Sequence, residues 1–128
     1  MDWITNNSMR LAQKGLDFTW QRQRVVSDNI ANAETPGFKA KYITFEHELR
    51  RNLSGLPDGP KRGVAARNAI NNSHFKLNTT NNESMRLDGN NVNVDVENVE
   101  LARNQIHYDF LLRQINDQFT RLRSVIQG

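Results

Sequence analysis

Cysteine is absent from this chain of 128 residues, which excludes a disulfide framework and any thiolate site. No apolar run is long enough to span a membrane, so membrane insertion is not expected. The opening residues Met1-Asp2-Trp3 lack the basic stretch and the continuous apolar segment of a secretory leader. Charge of one sign is not in excess either: 17 Lys+Arg against 14 Asp+Glu leave a net +3. The local basic pairs are Arg50-Arg51 and Lys61-Arg62, with no basic stripe interleaved with aromatics. A nucleic-acid partner is therefore not expected.

Signs of catalysis are missing as well. His47, His74 and His107 are far apart and share no metal-ligand spacing. Asp88-Gly89-Asn90-Asn91 has the flavour of a calcium loop, but its glycine is misplaced and no bidentate glutamate follows at the required step. It reads better as a turn. There is no nucleophile elbow and no glycine loop for phosphate. Ser27-Asp28 and His107-Tyr108-Asp109 are neighbours in helical sequence, and such neighbours point in different directions. The chain is read as no enzyme, with no cofactor, metal or small-molecule substrate.

What is present is polar and helical. The hydrophobic fraction is 37%, the mean hydropathy is −0.73, and asparagine is abundant between Asn68 and Asn104. One domain at most fits this length, with apolar surface confined to a few helix faces. Packing against copies or partners is expected to complete the core.

Periodicity predicts a first helix from about Trp3 to Ala33. Ile4, Leu11, Phe18 and Val25 recur every seven residues in one apolar line, widened by Met9, Leu16 and Trp20. Gly15 falls near that side, either as a point of close backbone approach or as a tolerated cost of about 1 kcal/mol. A second helix should begin near Asp95, the candidate N-cap, with Glu97 and Glu100 suited to its N-terminal end. Leu101, Gln105, Tyr108, Leu112, Ile115, Phe119, Leu122 and Ile126 follow alternating steps of four and three, a coiled-coil seam broken once by Gln105. The fold class expected is mainly α: long N- and C-terminal helices packed as a hairpin or coiled coil, with an extended, loop-rich middle. The divisions are residues 1–34, 35–94 and 95–128.

In the middle, Lys41 to Phe45 alternates like a short strand or extended arm, and Glu46 to Leu53 suits one or two helical turns. Leu56 to Gly63 is a loop by turn chemistry. Asn71 to Ser73 and Asn78 to Asn82 are polar and turn-rich, with Phe75 and Leu77 as isolated anchors. Because large apolar residues are few there, intermolecular packing is the expected use of the surplus helix surface. The alternative is a larger intramolecular core completed by the middle segment.

The sharpest local signal is the end of the first helix. A residue before proline is pushed out of the α region, so the helix must stop by Thr35. Pro36-Gly37 then suits the centre of a type II turn, with glycine supplying φ > 0 and Phe38 anchoring the redirected chain.

These residues carry a family resemblance. Asn29-Ile30-Ala31-Asn32-Ala33, Thr35-Pro36-Gly37-Phe38 and Lys39-Ala40 resemble the N-terminal signature of the axial proteins of the bacterial flagellum. Within that group the chain most resembles the small proximal rod proteins of the basal body, the FlgB family. Asp88-Gly89-Asn90-Asn91-Val92, Asp95, Tyr108 and the ending Leu122 to Gly128 are similar to that family too. The resemblance covers both ends well and the middle poorly. It implies a structural rod subunit in the basal body, exported by the flagellar type III apparatus without a cleaved leader. It also implies contacts with copies of itself, FlgC-type rod proteins, a FliE-type adaptor and the export gate, carrying torque. Pattern alone supports a second class, a small soluble helical-hairpin adaptor or chaperone of another coiled-coil protein.

Overall fold

The structure, a computed structural model, describes residues 7–80 and 86–127. Helix α1 (Asn7–Ala31) and helix α4 (Val94–Gln127) form the frame. They run antiparallel, since Gly15 meets Leu111, Thr19 meets Asn104 and Asn29 meets Glu97. Helix α1 ends two residues before the expected Ala33. The chain leaves it through successive turns, with Asn32 N–H donating to Asp28 O (3.0 Å) and Thr35 N–H to Asn32 O (3.0 Å). The start expected at Trp3, and Ile4 with it, lie outside the described residues.

Helix α4 is capped by Asn93, not by Asp95. The Asn93 side-chain oxygen accepts from the N–H groups of Asp95 (3.1 Å) and Val96 (3.3 Å), which satisfies two exposed helix donors. Asp95 and Glu97 instead occupy the first turn, where carboxylates face the positive end of the helix dipole.

The intramolecular seam on α4 differs from the expected one at every second position. Leu101, Tyr108 and Leu122 are half-buried and Ile115 is buried, as a seam requires. Between them the inward positions are Asn104, Leu111 and Gln118. Gln105, Leu112, Phe119 and Ile126 are exposed. On α1 the buried residues Ala12, Thr19, Val26 and Asn29 are small or polar, and their spacing shares one face with Gly15. An alanine methyl at Gly15 would lie 2.9 Å from Leu111 Cδ1, so the close approach made there is to a leucine side chain. Trp20, expected to widen the apolar surface of α1, lies exposed with the Arg24 guanidinium over its ring at 5.1 Å.

The middle segment is more ordered than its composition suggests. Strand β1 (Lys41–Thr44), helix α2 (Glu46–Ser54), helix α3 (Arg62–Asn72) and strand β2 (Lys76–Thr79) follow in order. The two strands pair antiparallel, with Lys41 opposite Thr79 and Ile43 opposite Leu77. Three phenylalanines supply the core: Phe45 lies 5.3 Å from Phe18 and 5.2 Å from Phe75, centroid to centroid. Ile43 is buried with them, and Val25 and Leu49 pack around the cluster. The expected line of Leu11, Phe18 and Val25 thus sends Phe18 and Val25 toward the middle segment. A few aromatic side chains complete a core there, because each buries far more area than an aliphatic residue.

Helix α3 and strand β2 lie where the sequence suggests loops. Ile70 is the buried residue of α3. Side-chain bonds fasten the helix: Asn7 Nδ2 donates to Gly63 O (3.0 Å) and Asn52 Nδ2 to Ser73 Oγ (3.0 Å). Tertiary contacts here override weak helix propensity.

Candidate functional site

The turn after α1 closes as its residues dictate. Phe38 N–H donates to Thr35 O at 3.2 Å across Pro36 and Gly37. Gly37 has φ +75°, the left-handed region that position requires. Pro36 and Gly37 face solvent while Phe38 turns inward, packing against a small buried cluster of Ala33, Ala40 and Val92.

Val92 belongs to the second quoted motif, and the structure joins the two. Asn90 is 1% exposed, and its Nδ2 donates to the carbonyls of Asn32 (2.8 Å) and Thr35 (2.8 Å). Its Oδ1 accepts from Val92 N–H (2.8 Å). Gly37 N–H donates to Asp88 O at 2.7 Å, a backbone bond from the turn itself. Asn91 Oδ1 accepts from Ala40 N–H (2.6 Å), and Asn91 Nδ2 donates to Thr80 O (3.1 Å). Two cations finish the clamp: Lys39 Nζ bonds the Gly89 carbonyl, and an Arg86 Nη bonds the Ala33 carbonyl.

Asn29 performs the same service one turn earlier. Its Oδ1 accepts from Lys41 N–H (2.9 Å), and its Nδ2 donates to Lys41 O (2.7 Å) and to Glu97 Oε2 (3.1 Å). A single amide therefore ties α1, the start of β1 and the first turn of α4. Asn32 acts locally, its Oδ1 accepting from the Thr35 hydroxyl at 3.0 Å. The signature asparagines are bonded parts of the junction. Asn90 adds a second donor to each of the Asn32 and Thr35 carbonyls, which already accept from Thr35 and Phe38 N–H, and gives the Val92 N–H its acceptor.

The expected seam residues fall into two sets. Leu101, Tyr108, Ile115 and Leu122 turn toward the helix pair, and Phe18 and Val25 toward the phenylalanine cluster. Leu112, Phe119 and Ile126 form an exposed line, 39%, 49% and 71% accessible. Leu11, 37% exposed, lines an open apolar groove of about 690 Å³ between α1, α2 and α4. Leu49, Leu53 and Phe110 form its walls, a feature that periodicity within single helices does not reveal.

Among the described residues no group of three or more His, Cys, Asp or Glu is placed to hold a metal ion. No helix among them is long and apolar enough to cross a membrane. The described residues thus form a two-helix frame closed by a clamped turn, with an apolar line of α4 left exposed. Comparison with known proteins gives that frame a class. Residues 9–39, which span most of α1 and the turn, match the family model described as "Flagella basal body rod protein". The FlgB basal body rod protein of Bacillus subtilis is 35% identical over 107 residues, covering 84% of this chain and 83% of the relative. That of Buchnera aphidicola from Acyrthosiphon pisum is 33% identical over 130 residues, covering 96% of each. The Salmonella typhimurium protein is 28% identical over 131 residues, covering 94% of each. The chain belongs to the FlgB family of flagellar basal body rod proteins, a structural family and not an enzyme family.

Proposed function

We propose that this chain polymerises in the proximal rod through its terminal helices and joins the rod base and export gate to the rest of the rod. The observation that carries the reading is the line of Leu112, Phe119 and Ile126 on α4, apolar at every second turn and open to solvent. Isolated surface leucines need no explanation, but a regular stripe on one face of a long helix fits a partner helix. Contacts that repeat head to tail without closing generate a rod. On this reading further copies and a FlgC-type protein adjoin the subunit on one side, and a FliE-type adaptor and the export gate on the other. The subunit reaches the periplasm through the export apparatus, and torque passes through its helix contacts. The clamped turn sets the angle at which the β1–β2 arm and the two short helices leave the helical frame.

Basal bodies purified from cells making Leu112→Ala or Phe119→Ala at wild-type levels provide the test. Both variants should be expressed and folded yet depleted from the rod, with loss of motility. Incorporation of both at wild-type levels would remove this stripe from the interface. A stable monomeric or dimeric hairpin with no tendency to assemble would favour the adaptor reading instead.

A further inference from the structure

The sequence contains two Asp-Gly pairs, Asp58-Gly59 and Asp88-Gly89, and no Asn-Gly pair. An aspartate carboxyl reacts most readily with its own backbone in this dipeptide, because glycine has no Cβ to obstruct attack by its nitrogen. The two pairs have the same local chemistry and opposite surroundings.

Asp58-Gly59 lies in the open loop between α2 and α3. The Asp58 carboxylate is fully exposed, and its partner is the Arg62 guanidinium at 3.4 Å, a surface pair that holds a side chain weakly. The Gly59 N–H makes no hydrogen bond among the described residues, although Gly59 O accepts from Arg62 N–H at 3.1 Å. An added Cβ at Gly59 would meet no atom within 4 Å, so the space around this residue is open.

Asp88-Gly89 is the same pair built into the clamp. Asp88 Oδ1 accepts from Asn90 N–H (3.1 Å), and Oδ2 accepts from an Arg86 Nη (3.0 Å). The Asp88 carbonyl accepts from Gly37 N–H (2.7 Å), and the Gly89 N–H donates to Arg86 O (3.2 Å). Lys39 Nζ bonds the Gly89 carbonyl. Closing a ring between this carboxyl and this nitrogen would break bonds on both sides, so the clamp must open first.

We propose that Asp58-Gly59 is a site of spontaneous isoaspartate formation in the folded protein, and that the clamp protects Asp88-Gly89 from the same reaction. With the carboxyl protonated, the Gly59 nitrogen bonds Asp58 Cγ and gives up its proton. The Cγ–OH bond breaks, and one water leaves as a succinimide closes. Water then adds back to the ring. Addition at Cγ restores aspartate. Addition at the former peptide carbonyl carbon frees the α-carboxylate and leaves the chain running through Cβ and Cγ. One water is lost and one gained, with no change of oxidation state. The altered chain is tolerated because it lies at an exposed loop tip. Its free α-carboxylate is the chemical group that an isoaspartyl methyltransferase esterifies with S-adenosylmethionine.

The full chain is held folded at neutral pH and physiological temperature for several weeks, with a parallel sample in guanidinium chloride. Peptide mapping against isomer standards measures isoaspartate at each pair, and an isoaspartyl methyltransferase with labelled S-adenosylmethionine measures the total. In the folded chain Asp58 should convert steadily and Asp88 more slowly by about tenfold or more, since its reaction waits on opening of the clamp. In denaturant the two rates should converge. Asp58→Glu, whose longer side chain cannot close the same ring, should bring methylation of the aged folded chain close to background. Equal conversion of both pairs in the folded chain would overturn the protection, as would an Asp88 that stays inert in denaturant. A folded chain in which Asp58 does not convert, or an Asp58→Glu chain methylated like the wild type, would overturn the site itself.

Discussion

The side-chain amide of Asn90 donates to the carbonyl of Thr35 at 2.8 Å, joining residues 55 positions apart. With the bond to Asn32 O and the bond from Val92 N–H, one buried side chain serves three backbone groups. Removing it takes the acceptor from the buried Val92 N–H and the second donor from each of the two carbonyls, which keep their backbone bonds from Thr35 and Phe38 N–H. Asn90→Ala should lower the unfolding free energy by about 2–3 kcal/mol, within the range for orphaned buried polar groups. Asn90→Asp should cost at least as much at neutral pH, because a carboxylate would face two carbonyl oxygens with no proton to donate. Urea unfolding of the three chains measures this. An Asp variant as stable as the wild type would show that the amide bonds carry little.

The turn itself offers a cleaner test of backbone geometry. Gly37 has φ +75°, and an added Cβ would meet no atom within 4 Å. Any cost of substitution there comes from the left-handed conformation and not from a clash. Gly37→Val should destabilise by about 1–3 kcal/mol, and Gly37→Asn by clearly less, because asparagine tolerates this region. Equal losses in denaturant titration would assign the effect to the side chain.

How much of this was legible depended on how local each determinant is. Thr35-Pro36-Gly37-Phe38 encodes its own turn, and the seven-residue recurrence of Leu101, Tyr108, Ile115 and Leu122 encodes the helix and its buried side. The alternate line misled because hydrophobicity and burial part company on this helix. Asn104 and Gln118 face inward while Leu112, Phe119 and Ile126 face solvent. Apolar residues that await a partner read like core when the chain is considered alone. Asn93 displaced Asp95 as the cap by one short side chain, a shift within the usual uncertainty of helix ends. The clamp was illegible as a contact, since Asn90 and Asn91 reach residues more than fifty positions upstream. Helix α3 rests on contacts such as Asn52 to Ser73, which nothing inside Arg62–Asn72 announces.

The loop between α2 and α3 should accept added chain, but over a narrower window than turn chemistry suggests. The loop expected from Leu56 to Gly63 runs into helix α3, which starts at Arg62. Arg62 N–H donates to Gly59 O (3.1 Å) and Ala65 N–H to Lys61 O (3.0 Å), so the helix entry is already formed there. A Gly-Ser insertion between Pro57 and Asp58 should change stability by less than about 0.6 kcal/mol, the closure cost of doubling a flexible loop. The same insertion after Gly63 should cost more, since it breaks the first turn of α3 beside the Asn7 bond to Gly63 O. Thermal melts of both insertions rank them. Equal tolerance would mean that α3 contributes little to the fold.

Ile115 and Phe119 lie one turn apart on α4 and should behave oppositely. Ile115 is 8% exposed against α1, whereas Phe119 is 49% exposed. Ile115→Ala deletes buried hydrocarbon from the helix pair and should cost about 2–4 kcal/mol in the isolated chain, as large-to-small core changes do. Phe119→Ala removes a side chain already largely in water and should shift stability by no more than about 0.5 kcal/mol. Equilibrium unfolding of the purified chain, at a concentration where it stays monomeric, separates the two. The comparison also sharpens the assembly test, because a Phe119→Ala chain as stable as the wild type but missing from basal bodies has lost a contact and not its fold. If Phe119→Ala proves as destabilising as Ile115→Ala, the outer line of α4 belongs to the core of the single chain, and the stripe assigned to rod assembly must be sought on another face.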